Sequence, residues 1–153
     1  MYKFMYNSPI GEIRISYNQN AITGLDFLPL DSDPSEDSPI LNECLTQLDE
    51  YFAGKRQTFS INIEFTRGTD YQKKVWAALC SVNYGETASY KDIASLIGNS
   101  KAARAIGSAN NKNPISIIVP CHRIIGTSGK MVGYGGGIEK KIWLLEHEKN
   151  NKI

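Results

Sequence analysis

Residues 89–110, SYKDIASLIGNSKAARAIGSAN, contain two helix start signals separated by a Gly-Asn break. Ser89 and Asp92 form a capping box of the S-x-x-D type, and Ser100 can cap a second helix. We therefore predict helices over residues 90–97 and 101–110. Two short capped helices joined through a Gly-containing turn are typical of the helix-turn-helix, whose second helix approaches DNA.

The second of these helices has one long side chain in its middle, Arg104. The other positions hold mainly small residues: Ala102, Ala103, Ala105, Gly107, Ser108 and Ala109. A helix that reads base edges would carry several Arg, Asn or Gln side chains. Small residues instead allow close approach to a groove, and a lone Arg can occupy the space that a displaced base leaves. Packing against a neighbouring helix is the alternative explanation for such a composition.

A thiol and an imidazole are adjacent at the end of an apolar run, IIVPCHRIIG, residues 117–126. Pro120 ends any hydrogen-bond ladder there because it has no N–H to donate. Adjacent side chains on a strand point to opposite faces, so proton exchange between Cys121 and His122 requires a turn or a helix start after Pro120. We expect Cys121 to lie where the chain leaves the core and to act as a nucleophile. A half-buried Cys beside a surface His is the alternative.

A glycine-rich stretch follows, with six glycines in the twelve residues 126–137. Such backbone allows close approach and exposes N–H groups, which suits the wall of a pocket for a flat ligand. The stretch has neither the G-x-x-x-x-G-K-[ST] nor the G-x-G-x-x-G phosphate-binding pattern. A flexible hairpin is the alternative.

Before the helix-turn-helix, the chain alternates apolar and polar residues in the manner of half-buried strands. The alternation runs through Ile13, Ile15 and Tyr17 and returns over residues 22–27 and 61–65. It predicts a small antiparallel sheet near the N-terminus.

Three further stretches have helical spacing of apolar residues. Ser38 can cap a helix that begins at Pro39 and ends before Gly54. A second amphipathic helix is predicted over residues 70–82. The third, over residues 138–148, has a predicted apolar face of Ile138, Ile142 and Leu145.

The composition, 41% hydrophobic and 22% charged over 153 residues, is typical of a globular chain. Residues 1–65 carry four Lys/Arg against ten Asp/Glu, whereas residues 66–153 carry 13 against six. The net charges of −6 and +7 indicate a polyanionic partner for the second half. We find neither a signal peptide nor an apolar run long enough to span a bilayer, and we expect a cytoplasmic protein.

The three cysteines are odd in number and lack a C-x-x-C spacing, which argues against a disulfide framework or a redox dithiol. Cys44 and Cys80 lie on or beside apolar helix stripes, so we assign them to packing. With only His122 and His147 available, a four-ligand zinc site is disfavoured, and we predict no metal.

Together these features resemble the O6-alkylguanine-DNA alkyltransferases, also called methylated-DNA–protein-cysteine methyltransferases. The likeness is strong from Tyr71 to Glu148 and general before that. Its elements, in chain order, are Ser89-Tyr90, residues 101–107 (KAARAIG), Asn113-Pro114, Pro120-Cys121-His122-Arg123, Tyr134 with the glycine run, and Trp143-Leu144-Leu145-x-His147-Glu148.

The resemblance implies roles for individual residues. Cys121 would accept the alkyl group, His122 would be its base through a bridging water, and Glu148 would orient His122. Asn113 would hold the segment before the active-site strand. Tyr90 would donate a hydrogen bond to the base and favour its flipping.

The resemblance also implies a pocket, a DNA surface and a fold. The pocket residues would be Val119, Pro120, Met131, Tyr134, Gly135 and Gly136. The residues at DNA would be Tyr90, Lys101, Ala102, Ala103, Arg104, Lys112 and Arg123. The fold would be α+β: a small antiparallel sheet with a helix, ribonuclease H-like, in residues 1–65, then a mainly helical, winged-helix-like DNA-binding domain in residues 66–153.

The activity implied is direct repair of duplex DNA: after base flipping, an alkyl group moves from O6-alkylguanine to Cys121, once per protein molecule and irreversibly. We expect no cofactor and a monomer. Gly135 stands where some members have Ser, which widens the pocket and makes O4-alkylthymine a second candidate substrate. The N-terminal zinc ligands of some members have no counterpart here.

Three other functions compete with this one. An alkyltransferase-like damage recogniser would lack the acceptor cysteine, which Cys121 contradicts. A helix-turn-helix regulator would explain the basic half but neither the thiol nor the glycine run. A cysteine hydrolase usually takes its Cys and His from distant parts of the chain.

Overall fold

The computed structural model describes residues 2–31, 33, 37–98, 103–126 and 134–152. Within these residues the elements are, in order, β1 (Tyr2–Ser8), β2 (Gly11–Tyr17), β3 (Ile22–Asp26), α1 (Pro39–Phe52), α2 (Asp70–Leu79), β4 (Ala88–Ser89), α3 (Tyr90–Leu96), α4 (Ala103–Asn111), a 3-10 helix (Cys121–Arg123), β5 (Ile124–Ile125) and α5 (Ile138–Asn151).

The N-terminal sheet is three-stranded and antiparallel, in the order β1-β2-β3. Ile13, Ile15 and Tyr17 are buried, as their alternation predicts. The predicted strand over residues 61–65 is wrong: that segment makes only an isolated bridge between Ile63 and Ile22. Ile22 N donates to Asn62 O and Ile22 O accepts from Glu64 N, and among the described residues the pairing stops there.

Helix α1 begins and ends where the sequence predicts. The Ser38 hydroxyl accepts a hydrogen bond from Leu41 N at 3.1 Å, and Pro39 occupies the first turn, where its missing N–H has no consequence. Gly54 follows the helix with a φ of +77°, a conformation that favours glycine. The buried face of α1, which includes Cys44, Leu48 and Tyr51, contributes to the central core.

Helices α2, α3 and α4 pack against one another. Helices α3 and α4 are the two helices of the predicted helix-turn-helix, and residues 99–102 between them lie outside the described residues. The capping box of Ser89 and Asp92 is present at the start of α3, as predicted. Helix α2 ends at Leu79, three residues earlier than predicted, because the next N–H groups bond to carbonyls three residues back and tighten the chain into turns. The Trp76 indole N–H donates to Ala109 O at 2.7 Å and ties α2 to α4.

Helix α5 buries a different face from the predicted one. Ile138 and Ile142 are 37% and 38% exposed, whereas Lys141 and Glu148 are fully buried. The two charged side chains lie inward because the 3-10 helix and β5 offer them hydrogen-bond partners, as described below. Leu144, on the same face, is also buried.

The α+β class is confirmed, with the small sheet and α1 preceding the helical part. Strands β4 and β5 pair in parallel, Ala88 with Ile124 and Ser89 with Ile125, and so connect the start of α3 to the chain that follows Cys121. In the described ranges, no helix has the length and apolar character that crossing a membrane would require.

Candidate active site

Cys121 begins a 3-10 helix directly after Pro120. The turn that proton exchange between Cys121 and His122 requires is therefore present. Both residues are buried, at 4% and 0% exposure, so the alternative of a surface His is wrong.

The chain reaches Cys121 through a turn over residues 113–119, which hydrogen bonds hold in place from inside and from outside. Asn113 lies inside the turn: its Nδ2 donates to Val119 O at 2.7 Å and its Oδ1 accepts from Ile115 N at 3.0 Å. Leu25 of β3 lies outside it, bonded through N to Pro114 O and through O to Ser116 N. These bonds tie the Asn113 side chain to the segment before Cys121.

Ile117, within this turn, has a φ of +73°. A β-branched residue rarely adopts that conformation, which costs on the order of 1–3 kcal/mol. The hydrogen bonds of Asn113 and Leu25 around it compensate for the strain, so the backbone before Cys121 is held rather than free.

Glu148 is the centre of a buried cluster, here called the carboxylate cluster, made of Tyr51, His122, Arg123 and Glu148. His122 Nε2 lies 2.6 Å from Glu148 Oε2, and the Tyr51 hydroxyl donates to the same oxygen at 2.6 Å. Arg123 donates through Nε to Oε1 at 2.8 Å and through Nη2 to Oε2 at 3.0 Å. Such a bidentate, charge-assisted pair fixes the carboxylate plane as well as its position.

The hydrogen bonds of this cluster determine its protonation. Burial alone would raise the pKa of Glu148, but the bonds from His122 and Arg123 outweigh it and place that pKa far below its usual range. Burial lowers the pKa of His122, although the neighbouring Glu148 opposes the shift. The folded protein therefore holds an ionised Glu148 beside a neutral imidazole.

The tautomer of His122 follows from its neighbour. An ionised carboxylate only accepts, so Nε2 carries the hydrogen and donates to Glu148. Nδ1 is then left with a lone pair, and it is buried without a hydrogen-bond partner among the described residues. A neutral histidine fixed in this way can accept a proton at Nδ1.

Burial raises the pKa of the Cys121 thiol, so its resting form is protonated. Hydrogen bonding to Asn113 and the charge of Lys141 oppose the shift. Lys141 Nζ donates to the Ile124 carbonyl just beyond the 3-10 helix. Lys141 was not predicted as a site residue, because its place in α5 suggested an exposed position. Its burial lowers the pKa of its own amine, but its charge still favours the Cys121 thiolate.

A cavity of about 210 Å³ reaches Cys121. Its wall comes from the end of β3, the end of α4 and the turn before Cys121; it is formed by Asp26, Phe27, Leu28, Asn110, Asn111, Asn113, Ser116, Cys121, Tyr134 and Gly135. The sheet thus supplies part of the wall, which sequence analysis did not predict.

The predicted pocket residues are distributed around this cavity. Tyr134 and Gly135 line it, whereas Val119 and Pro120 are buried behind it. A Cβ on Gly136 would lie 2.5 Å from Phe27 Cδ2, so this glycine permits close contact with the sheet. Met131 lies outside the described residues. Tyr90 is half-buried at the start of α3, and burial raises the pKa of its hydroxyl.

Two of the predicted DNA-contacting residues, Arg104 and Lys112, are exposed, on α4 and just after it. Lys101 and Ala102 lie outside the described residues, and Ala103 is the first residue of α4.

Arg123 corrects the expectation of a phosphate contact. It is 7% exposed, it holds Glu148, its Nη1 donates to Val82 O at 2.7 Å, and it lies 5.7 Å from the centre of the Tyr84 ring. Its guanidinium is used inside the protein because Glu148 needs a fixed counter-charge there.

The fold and the site are typical of a nucleophilic-cysteine protein built on a helix-turn-helix, and comparison with known proteins agrees. Residues 70–150 match the family described as 6-O-methylguanine DNA methyltransferase, DNA binding domain, and residues 1–65 match its ribonuclease-like domain. The chain belongs to this family, the methylated-DNA–protein-cysteine methyltransferases. The predicted resemblance and enzyme class are confirmed.

Individual relatives cover nearly the whole chain. The methylated-DNA–protein-cysteine methyltransferase of Methanosarcina barkeri is 45% identical over 157 residues, which is 99% of this chain and 99% of the relative. The crystal structure of Mycobacterium tuberculosis O6-methylguanine methyltransferase has a TM-score of 0.89 at 43% identity and covers 99% of this chain and 94% of that one. The M. tuberculosis protein in complex with DNA has a TM-score of 0.90 at 45% identity.

Proposed function

We propose that this protein repairs duplex DNA by moving the alkyl group of O6-alkylguanine onto Cys121. The observation that carries the proposal is the pairing of His122 Nε2 with Glu148 at 2.6 Å, which leaves Nδ1 as a buried base on the residue that follows the buried Cys121. Asn113, Tyr90 and Lys141 support the same assignment through their positions around Cys121.

The chemistry follows from the cluster. His122 Nδ1, through a bridging water, draws the proton from Cys121, and Lys141 stabilises the resulting thiolate. The sulfur attacks the alkyl carbon in line, so that the S–C bond forms while the C–O6 bond breaks and its electron pair goes to the guanine. Guanine gains one proton in place of the alkyl group, and Tyr90 is the candidate donor of that proton. The proton that His122 took from the thiol then returns to the Tyr90 phenolate through solvent, so that the net transfer is from Cys121 to guanine.

The product is a thioether, which has no good leaving group for water or another thiol to displace. We therefore infer that each molecule reacts once and irreversibly. No step requires a metal or an organic cofactor.

Access to the lesion requires that the base leave the helix. Exposed Arg104 on α4, surrounded by small residues, is suited to fill the vacated place, and flipping costs less where alkylation has weakened pairing. The relative from M. tuberculosis was crystallised with DNA. Binding here would be largely independent of base sequence and would weaken as salt rises, with Lys112 among the phosphate neighbours.

Several finer points remain predictions. They are repair of O4-alkylthymine, a monomeric and cytoplasmic protein, and the division at residues 65 and 66. A Cβ on Gly135 would meet no atom of the described residues within 4 Å, which supports a roomy pocket at that position.

The direct test is the intact mass of the protein after incubation with a duplex that contains O6-methylguanine. We expect a gain of one methyl group, located at Cys121 by peptide mapping and absent from Cys121→Ala. Cys80→Ala is the matched control, because Cys80 is exposed and its thiol bonds to Trp76 O outside the cavity lining. Methylation at another residue, or repeated turnover of substrate, would contradict the proposal.

A further inference from the structure

Asn110 places an amide with an unused acceptor in the cavity at Cys121. It lies in the last turn of α4, is 2% exposed and lines the cavity. Its Nδ2 donates to the Cys121 carbonyl at 3.5 Å, whereas its Oδ1 is buried and accepts no hydrogen bond from the described residues. A buried carbonyl oxygen of this kind is costly unless a ligand supplies the donor.

The orientation of this amide follows from its partner. The Cys121 carbonyl can only accept, so it faces the NH₂ group of Asn110, and Oδ1 is the atom left for a ligand. Two other side-chain acceptors of the cavity wall, Asp26 and Asn113, are already engaged. Asp26 binds Arg14 at 3.0 and 2.9 Å and Leu28 N at 3.0 Å, and Asn113 Oδ1 accepts from Ile115 N.

We propose that Asn110 Oδ1 accepts a hydrogen bond from the exocyclic amine of the flipped base and thereby selects guanine lesions over thymine lesions. This inference rests on the function proposed above. The ring nitrogens of O6-alkylguanine are all acceptors, so its amine is the one donor that it offers. O4-alkylthymine offers acceptors alone. A fixed acceptor in the pocket therefore favours the purine and leaves the pyrimidine unpaired at the same point.

The experiment uses three duplexes that differ only at the lesion: O6-methylguanine, O6-methylhypoxanthine, which lacks the amine, and O4-methylthymine. Single-turnover methyl transfer is measured for wild type and for Asn110→Leu, which keeps the size of the side chain. We expect wild type to prefer O6-methylguanine over O6-methylhypoxanthine about tenfold, the effect of leaving one buried group unpaired.

In the variant that preference should disappear. Asn110→Leu should slow transfer from O6-methylguanine about tenfold and leave O6-methylhypoxanthine unchanged within about twofold, because the second base has no donor to lose. Its preference for O6-methylguanine over O4-methylthymine should fall by the same factor. Repeating the rates on single strands removes differences in base pairing. Asn42→Leu, on the exposed side of α1, is the matched control and should match wild type on all three substrates.

Equal slowing of all three substrates by Asn110→Leu would overturn the inference, because Asn110 would then act only by positioning Cys121. A wild-type preference of less than about twofold for the base with the amine would overturn it without any variant, so the test survives a variant that does not fold. If wild type transfers methyl from none of the duplexes, the proposed function itself fails, and that result is distinct from either of the others.

Discussion

Replacing Tyr51 by Phe tests whether the N-terminal part of the chain completes the active site. Tyr51 lies on α1, 97 residues from Glu148 in sequence, yet its hydroxyl donates to Glu148 Oε2 at 2.6 Å with both groups buried. Phenylalanine keeps the ring and its contacts with Phe52, Phe59 and His147 and removes only the O–H. The change therefore isolates one hydrogen bond to a charged group.

The expected magnitude follows from the partners that remain. A hydrogen bond to a charged group contributes about 1.5–3 kcal/mol, and because Oε2 keeps its bonds to His122 and Arg123 we expect a loss near the lower limit, about 1.5 kcal/mol. For a domain of this size that corresponds to a decrease of roughly 3–6 °C in Tm. Methyl transfer should slow a few-fold, because Glu148 still orients His122 through the other bonds.

The assay is thermal denaturation at pH 7 combined with single-turnover methyl transfer. Tyr2→Phe is the matched control, because Tyr2 is 47% exposed; it should change the Tm by less than 1 °C. A Tyr51→Phe protein with the Tm and transfer rate of wild type would show that α1 does not support Glu148, and Tyr51 would then have no functional part in the carboxylate cluster.

Three further predictions concern pH, DNA and packing. Burial lowers the pKa of His122, so below about pH 6.5 the unfolded chain binds a proton at this residue more readily than the folded protein does. The free energy of unfolding should therefore decrease as the pH falls below that value, and Tm values that stay level from pH 8 to pH 5 would contradict this. Arg104→Ala should slow transfer from duplex about 10- to 100-fold, since flipping costs a few kcal/mol, but should leave transfer from free O6-methylguanine base unchanged; equal slowing of both would refute the role in flipping. Gly136→Ala should lower the free energy of unfolding in urea by about 1–3 kcal/mol, because its Cβ would lie 2.5 Å from Phe27. Gly135→Ala should leave that free energy unchanged, and equal free energies of unfolding for the two variants would refute the predicted clash.

The cluster also explains why the two parts of the chain depend on each other. Leu25 of β3 holds the turn before Cys121, Phe27 forms part of the cavity wall, and Tyr51 of α1 supports Glu148. The acidic N-terminal region therefore supports the buried side of the site, whereas the basic region places α4 at the surface.

Features that depend on neighbouring residues were predictable from the amino-acid sequence alone. Ser38 with Pro39 and Ser89 with Asp92 set two helix starts correctly, because a cap acts on N–H groups two or three residues away. Pro120 likewise indicated the turn at Cys121. The expectation that the chain leaves the core there is wrong, because Cys121, His122 and Ile124 are all buried.

Features that depend on distant partners were decided by the tertiary structure. The apolar pattern of α5 favoured burial of Ile138 and Ile142, yet the helix turns Lys141 and Glu148 inward, because hydrogen-bond partners from the 3-10 helix, β5 and α1 outweigh that pattern. Arg123 was expected at DNA because basic side chains are usually exposed. In the folded chain Glu148 lies 2.8 Å from its guanidinium, and this buried carboxylate holds it inside the protein. Local spacing predicts the elements, whereas the partners of buried charges are known only once elements far apart in sequence have packed together.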